Sequence, residues 1–120
     1  MPVRTNSLKD RLSRSSEVNI TVVGRKSGRK SSRPVWFIME GDDLHLLPVE
    51  GSDTQWYQNV VKNPNIEVEA GGSRGEFKAI PIAEPAEVSA VADKFRKKYG
   101  PGDVKKYYSK FDVAVLVPLK

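Results

Sequence analysis

Apolar and polar side chains alternate through much of this chain. Val18, Ile20 and Val22 alternate with Asn19 and Thr21, which predicts a half-buried strand over 17–24. Residues 33–40 (Arg-Pro-Val-Trp-Phe-Ile-Met-Glu) read as a second strand, with Pro34 near its start where a missing N–H is tolerated. Gly41 and Asp42 then turn the chain into a third strand over 43–49, completing a hairpin. Gly51-Ser52-Asp53 carries an N-cap signal for a helix over 53–62, with Trp56 and Val60 on one face and Asn63-Pro64 as its stop. Ile66, Val68 and Ala70 alternate with Glu67 and Glu69, and Gly71-Gly72-Ser73 turns that strand into another over 74–83. Pro85 opens a helix whose stripe is Val88, Val91, Ala92, Phe95 and Tyr99, ended by Gly100-Pro101. A short helical piece over 104–109 leads to a last strand over 111–119, apolar at nearly every position and therefore expected at the centre of a sheet. Asn6 or Ser7 is a candidate cap for a short helix through Arg14, so 1–16 reads as a short N-terminal helix or arm.

Hairpin-connected strands dominate this order. The expected fold is mainly β (α+β): one domain over 1–120, a small antiparallel barrel with about three helices at its rim. With 38% hydrophobic and 29% charged residues, 120 residues suffice for one core without staples. There is no cysteine, so a disulfide framework, a thiolate metal site and a cysteine nucleophile are excluded. That composition fits a cytoplasmic protein, and no apolar run is long enough to span a bilayer. The net charge of +5 favours anionic partners, and only its arrangement can separate nucleic acid, acidic lipid and a phosphorylated small molecule.

The arrangement centres on the turn Gly24-Arg25-Lys26-Ser27-Gly28-Arg29-Lys30, with Arg33 just beyond. Its two glycines allow unusual backbone angles, its amides can line an anion-binding concavity, and Arg presents a fork that matches phosphate oxygens. The spacing is not that of a P-loop, and a solvated basic hairpin is the competing reading that spacing alone leaves open. A second cluster runs from Gly51 to Asn59, where a helix N-terminus could take an anion although Asp53 would compete for it. Trp56, Tyr57 and Trp36 are either walls for a planar ring or core residues. His45, the only histidine, reads as an outward-facing strand residue. Lys94, Arg96, Lys97, Lys98, Lys105 and Lys106 read as the solvated face of the late helices. No carboxylate pair, catalytic triad or metal-ligand set is evident, so no catalytic side chain and no metal site are assigned. An anion pocket with aromatics but without acid–base groups suits a protein whose bound redox cofactor carries the reactive atoms.

Thr21-Val22-Val23-Gly24-Arg25-Lys26-Ser27-Gly28, then Arg33-Pro34-Val35-Trp36, Gly51-Ser52, Trp56-Tyr57-Gln58-Asn59-Val60 and Asn63-Pro64 resemble the deazaflavin-dependent nitroreductase and quinone reductase family, within the pyridoxamine-phosphate-oxidase-like split-barrel group. The resemblance covers residues 18–82 and extends to 112–119. It implies a split β-barrel that binds the deazaflavin coenzyme F-420, or alternatively flavin mononucleotide (FMN), and transfers hydride to a quinone, nitro compound or activated double bond. It also implies a homodimer. By position, Arg25, Lys26, Ser27 and Gly28, led by Gly24, would hold the phosphate and acidic tail, with Arg33, Pro34 and Trp36 beside them. Gly51, Ser52 and Trp56 would lie near the ring, with Asn59 supporting the helix start. Tyr57, Tyr107 and Tyr108 are candidates to orient a substrate. The segment Pro48-Val49-Glu50-Gly51-Ser52 departs from many members, which have a longer loop with paired glycines, and this bears on which cofactor fits. A non-catalytic cofactor carrier on the same barrel is the alternative. A nucleic-acid-binding barrel ranks below both, because the strands lack regularly interleaved aromatics.

Overall fold

Val18, Ile20 and Val22 are buried while Asn19 is exposed, and this period-two pattern forms β1 (Val18–Val23) of the computed structural model. The structure describes Leu8, Arg11, Leu12 and residues 15–119. Leu8 and Leu12 are helical and buried in the core and Arg11 is helical and exposed; residues 1–7, 9, 10, 13 and 14 of the expected N-terminal arm lie outside the described residues.

β1 is flanked by β2 (Lys30–Val35) and β5 (Asn65–Ala70), and β5 by β6 (Ser73–Lys78), giving an antiparallel sheet of order β2-β1-β5-β6. A second sheet has order β3-β4-β8-β7, formed by β3 (Phe37–Glu40), β4 (Asp43–Leu46), β8 (Ala114–Pro118) and β7 (Ile80–Ile82). β8 is central, as its apolar run predicted. Gly71 and Gly72, both at positive φ (57° and 88°), make the two-residue turn that joins β5 to β6.

Two expected strands are each divided. The run over 33–40 is β2 and β3, separated by Trp36, and β2 begins three residues earlier, at Lys30. The run over 74–83 is β6 and β7, separated by Ala79, whose N–H donates to the Pro64 carbonyl at 2.8 Å. At each break the chain passes from one sheet to the other. The helix expected over 53–62 also starts later. Gly51–Asp53 form a single 3₁₀ turn, and α1 spans Gln55–Lys62 with Thr54 as its N-cap residue. The Thr54 hydroxyl accepts from the Glu50 amide at 2.9 Å and so does not cap α1. α2 (Pro85–Tyr99) is capped as expected: Pro85 sits in its first turn and the Glu84 carboxylate accepts from Glu87 N at 3.1 Å. Gly100 (φ 96°) leads into α3 (Pro101–Tyr107). Among the described residues, no helix is long and apolar enough to cross a membrane.

The core has two parts. One lies between the sheets: Val18, Ile20, Val22, Ile66 and Val68 meet Phe37, Leu44, Leu46, Val115 and Val117, with Trp56 and Val60 of α1. The other gathers Ile38, Leu47 and Ala114 with Val88, Val91, Ala92 and Phe95 of α2, and with Val104 and Tyr108. β8 therefore buries both faces, which explains its nearly unbroken apolar sequence. Leu46, fully buried between the sheets, and Val61, 55% exposed on α1, give a direct contrast. Leu46→Ala is expected to cost about 2–5 kcal/mol, and Val61→Ala within about 0.5 kcal/mol of nothing, measured by denaturant unfolding.

Candidate functional site

The β1–β2 turn is closed at both ends by its own backbone. Gly24 N donates to Arg29 O at 2.7 Å, Gly28 N donates to Gly24 O at 2.9 Å, and Gly28 adopts φ 72°. Ser27 Oγ accepts from Arg29 N at 3.1 Å. Arg25 turns away from the other cations and onto α1. Its backbone N–H and its Nη1 both donate to Asn59 Oδ1, at 3.1 and 2.8 Å, and its Nη2 donates to Gln55 Oε1 at 3.0 Å. Asn59 is buried, and Gln55 and Asn59 are one helical turn apart on the same face. Lys26, Ser27, Gly28, Arg29 and Lys30 are exposed. All of these but Gly28 border an open groove of about 450 Å³ that also includes Gly24, Arg25, Gln55 and Asn59. Among the described residues, none of Arg25, Lys26, Arg29, Lys30 and Arg33 forms an ion pair with a carboxylate; the pairs present involve Arg74, Lys94, Arg96 and Lys110.

β2 leads from this groove to a second concavity. Lys30 and Val35 are five residue steps apart, roughly 17 Å at ~3.3 Å per step. The second concavity, of about 380 Å³, is walled by Arg33, Pro34, Val35, Trp36, Trp56 and the pair Tyr107–Tyr108, with Glu17, Leu47 and Val49. Trp36 is fixed there by its neighbours. Tyr99 stacks on it at 4.2 Å and 8° between planes, and Tyr107 meets it edge-on at 5.6 Å and 83°. The Tyr99 hydroxyl accepts from Phe37 N at 3.0 Å and lies 2.8 Å from Ser16 O and 2.9 Å from Phe37 O, its two candidate acceptors. Burial pushes the Tyr99 pKa up to about 12 and raises that of Tyr108 further still. Trp56 is both wall and core, 3% exposed, whereas Tyr57 packs in the core and does not line the cleft.

Gly51 and Ser52 lie on a separate network at the edge of this region. Ser52 N and Ser52 Oγ donate to Asp112 Oδ1 and Oδ2 at 2.9 and 2.6 Å, and Gln58 Nε2 donates to Ser52 O at 3.1 Å. Lys110 reaches both Asp53 (3.2 Å) and Asp112 (3.6 Å). Gly51 holds φ 56°, and a Cβ there would fall 2.1 Å from Asp112 Oδ1, so only glycine fits. Hydrogen bonds from Ser52 hold the Asp112 carboxyl below the usual carboxylate range, helped by Lys110.

The structure thus brings together Gly24, Arg25, Lys26, Ser27, Gly28 and Asn59 around the turn, and Arg33, Pro34, Trp36 and Trp56 around the cleft. Gln55, Tyr99 and Asp112 were not singled out from the sequence. Gln55 could have been found from its position four residues before Asn59. Tyr99 and Asp112 act through contacts 60 or more residues away in sequence, which leave no local signal. His45 sits in β4 between Ile38 and Leu116, half-buried rather than outward-facing; its Nδ1 is buried without a partner and burial lowers its pKa. In the second basic region, Lys94 pairs with Glu40 and Arg96 with Asp93, while Lys98 lies over the Phe37 ring at 3.7 Å and donates to Phe37 O.

Two four-stranded antiparallel sheets joined by single-residue crossings, with helices at the rim, define a split β-barrel, the fold shared with the solved structures below. Within that class, the chain belongs to the family described as "Uncharacterized protein conserved in bacteria (DUF2255)", whose profile matches residues 9–113. No curated protein matches significantly. Among solved structures, an F-420-H2 dependent reductase (FDR-A) superposes with a TM-score of 0.67 at 23% identity, covering 85% of this chain and 93% of its own. A putative 5-nitroimidazole antibiotic resistance protein from Bacteroides thetaiotaomicron gives 0.71 at 14% identity, over 94% and 78%. The heme storage protein HutZ from Vibrio cholerae gives 0.68 at 13%, over 93% and 86%. These likenesses establish the fold.

The Ser52–Asp112 link sets a pH dependence. A carboxyl whose pKa is depressed in the folded state stabilises the fold above its unfolded pKa of about 4, and that contribution is lost as pH falls through the lower folded value. Wild-type stability should therefore drop more steeply below about pH 4 than that of Asp112→Asn, measured by thermal unfolding across a pH series. Equal slopes would show that the link adds nothing.

Proposed function

We propose that this chain is an oxidoreductase that holds a deazaflavin, coenzyme F-420, with FMN as the alternative, and delivers hydride to a quinone, nitro compound or activated double bond. The observation that supports this most is the run of cations on the β1–β2 turn without carboxylate partners, joined by an edge strand to an aromatic-walled cleft. An anion-free balance of charge at that turn is what a ligand's phosphate would complete. The backbone amides of Lys26 and Ser27 make no hydrogen bond among the described residues, so they are available donors beside the side chains.

The residues fit the group. Arg25, Lys26 and Ser27 would hold the phosphate end; Arg33 stands between the two concavities; Trp36, Trp56 and Tyr108 supply flat, apolar walls of the size a ring system needs. When bound, such a cofactor supplies the hydride, and the protein's part is orientation and electrostatics. Burial raises the pKa of Tyr108 in the cleft wall and of Tyr99 behind Trp36, so these two hydroxyls stay protonated across the physiological range and do not serve as bases. The likeness to an F-420-H2 dependent reductase supports the deazaflavin reading, and that to a heme storage protein keeps a non-catalytic carrier in view. A homodimer is also part of this reading, supported by a neighbour described as a domain-swapped dimer, 20% identical with a TM-score of 0.68.

The test is a fluorescence titration of the purified protein with oxidised F-420 and, in parallel, with FMN, followed by turnover assays with quinone and nitro acceptors. Lys26→Ala is expected to weaken the bound cofactor about tenfold with unfolding unchanged, because Lys26 is exposed and makes no tertiary bond. Arg25→Ala should weaken it at least as much but also destabilise by about 1 kcal/mol, since the backbone N–H still reaches Asn59 while the side-chain donors to Asn59 Oδ1 and Gln55 Oε1 are lost. Binding without turnover would indicate the carrier. Binding of neither cofactor would remove the redox reading and direct the basic turn to nucleic acids or phosphorylated metabolites.

A further inference from the structure

Among the described residues, Arg25 differs from the other arginines that make side-chain hydrogen bonds. Arg74 and Arg96 each face a carboxylate, at 3.0 and 2.7 Å. Arg25 is held instead by two neutral amide oxygens, Asn59 Oδ1 at 2.8 Å and Gln55 Oε1 at 3.0 Å. The same Asn59 oxygen also accepts the Arg25 backbone N–H, so one buried atom fixes both the turn and the guanidinium. A carboxylate in either place would orient the guanidinium equally well but cancel its charge. An amide orients it and leaves the full positive charge facing the groove. Three of the five guanidinium N–H groups remain for a ligand.

We propose that Gln55 and Asn59 are positioning residues that keep Arg25 both immobile and un-neutralised, and that they thereby set how strongly this groove prefers an anionic ligand over its neutral counterpart. This rests on the functional reading above, in which Arg25 meets the cofactor's phosphate. Gln55 and Asn59 both belong to α1, so the clamp fastens the anion groove to the helix whose Trp56 walls the ring cleft. Direction of charge and position of the ring wall are then coupled through one helix.

The experiment compares each anionic cofactor with its phosphate-free core: FMN with riboflavin, and F-420 with its deazariboflavin portion, by fluorescence titration at several salt concentrations. Wild type should prefer the anionic member of at least one pair, with a preference that shrinks as salt rises. Gln55→Glu places a carboxylate beside Arg25 Nη2 without changing shape, and a negative charge in the first turn of a helix is favourable, so folding is preserved. It should cut the preference about tenfold and flatten its salt dependence, while binding of the neutral core stays within about twofold. Gln55→Leu removes the acceptor without adding charge; it should cut the preference about threefold and leave the salt dependence intact. If wild type shows no preference in either pair, the functional reading fails and this inference with it. If wild type prefers the anion and Gln55→Glu keeps that preference in full, the positioning role is overturned while the functional reading stands.

Discussion

Trp36 is the single residue between a strand paired to β1 and a strand paired to β4, and Ala79 is its counterpart between β6 and β7. These two crossings hold the sheets face to face, because no other pair of adjacent strands runs directly from one sheet to the other with one residue between. Each crossing must satisfy the backbone groups it takes out of the ladders. At Ala79 the amide finds the Pro64 carbonyl. Next to Trp36, the Phe37 amide and carbonyl find the Tyr99 hydroxyl and the Lys98 ammonium, both from α2. The Trp36 ring, stacked on Tyr99, then becomes a rigid wall of the cleft. A topological requirement of the barrel and the shape of the candidate site are met by the same residues.

Much of the barrel is legible in the sequence, since period-two alternation marks β1, β4 and β5 and an unbroken apolar run marks the doubly buried β8. The crossings are not legible. Val35, Trp36, Phe37 and Ile38 form a continuous apolar run whose members point to different environments: Phe37 into the space between the sheets, Ile38 under α2. Hydrophobicity alone cannot separate two buried environments from one long strand. The start of α1 was misread for a related reason. Ser52 and Asp53 have the chemistry of caps, but Ser52 is engaged by Asp112 and Asp53 by Lys110, contacts nearly 60 residues away in sequence. For the site, the basic turn was legible from its glycines and charges; what Arg25 faces was not, because that depends on how α1 packs.

The net charge of +5 is unevenly compensated. On α2, Lys94 and Arg96 are paired with Glu40 and Asp93 and Lys98 is held by the Phe37 carbonyl and ring, while Lys97 has no carboxylate partner among the described residues; exposed pairs of this kind contribute little to stability. The turn cations lack that compensation among the described residues. Like charges crowded on one hairpin repel one another, and the fold tolerates this because solvent screens exposed groups and because Arg25 is drawn aside onto α1. A counter-charge brought by a ligand would relieve the repulsion at several residues together, which supports the proposal of an anion site at this turn.

Besides Glu17 and the α1 residue Trp56, the cleft walls come from β2 with Trp36, the segment around Leu47–Val49, and the α3 end with Tyr107 and Tyr108. Trp36 is held by the core side of α2. The other two stretches are held to each other. Val49 O accepts from Ser109 N at 2.9 Å, and three residues on, Ser52 is fastened to Asp112. Glycine at position 51 is required for that fastening, since any Cβ would enter the Asp112 carboxylate. The network is exposed and polar, so it contributes to the spacing of the walls more than to global stability. On this side of the cleft, Leu47 and Tyr108 are therefore held by the second core, and only Val49 and the Ser52 turn depend on a few solvent-facing hydrogen bonds.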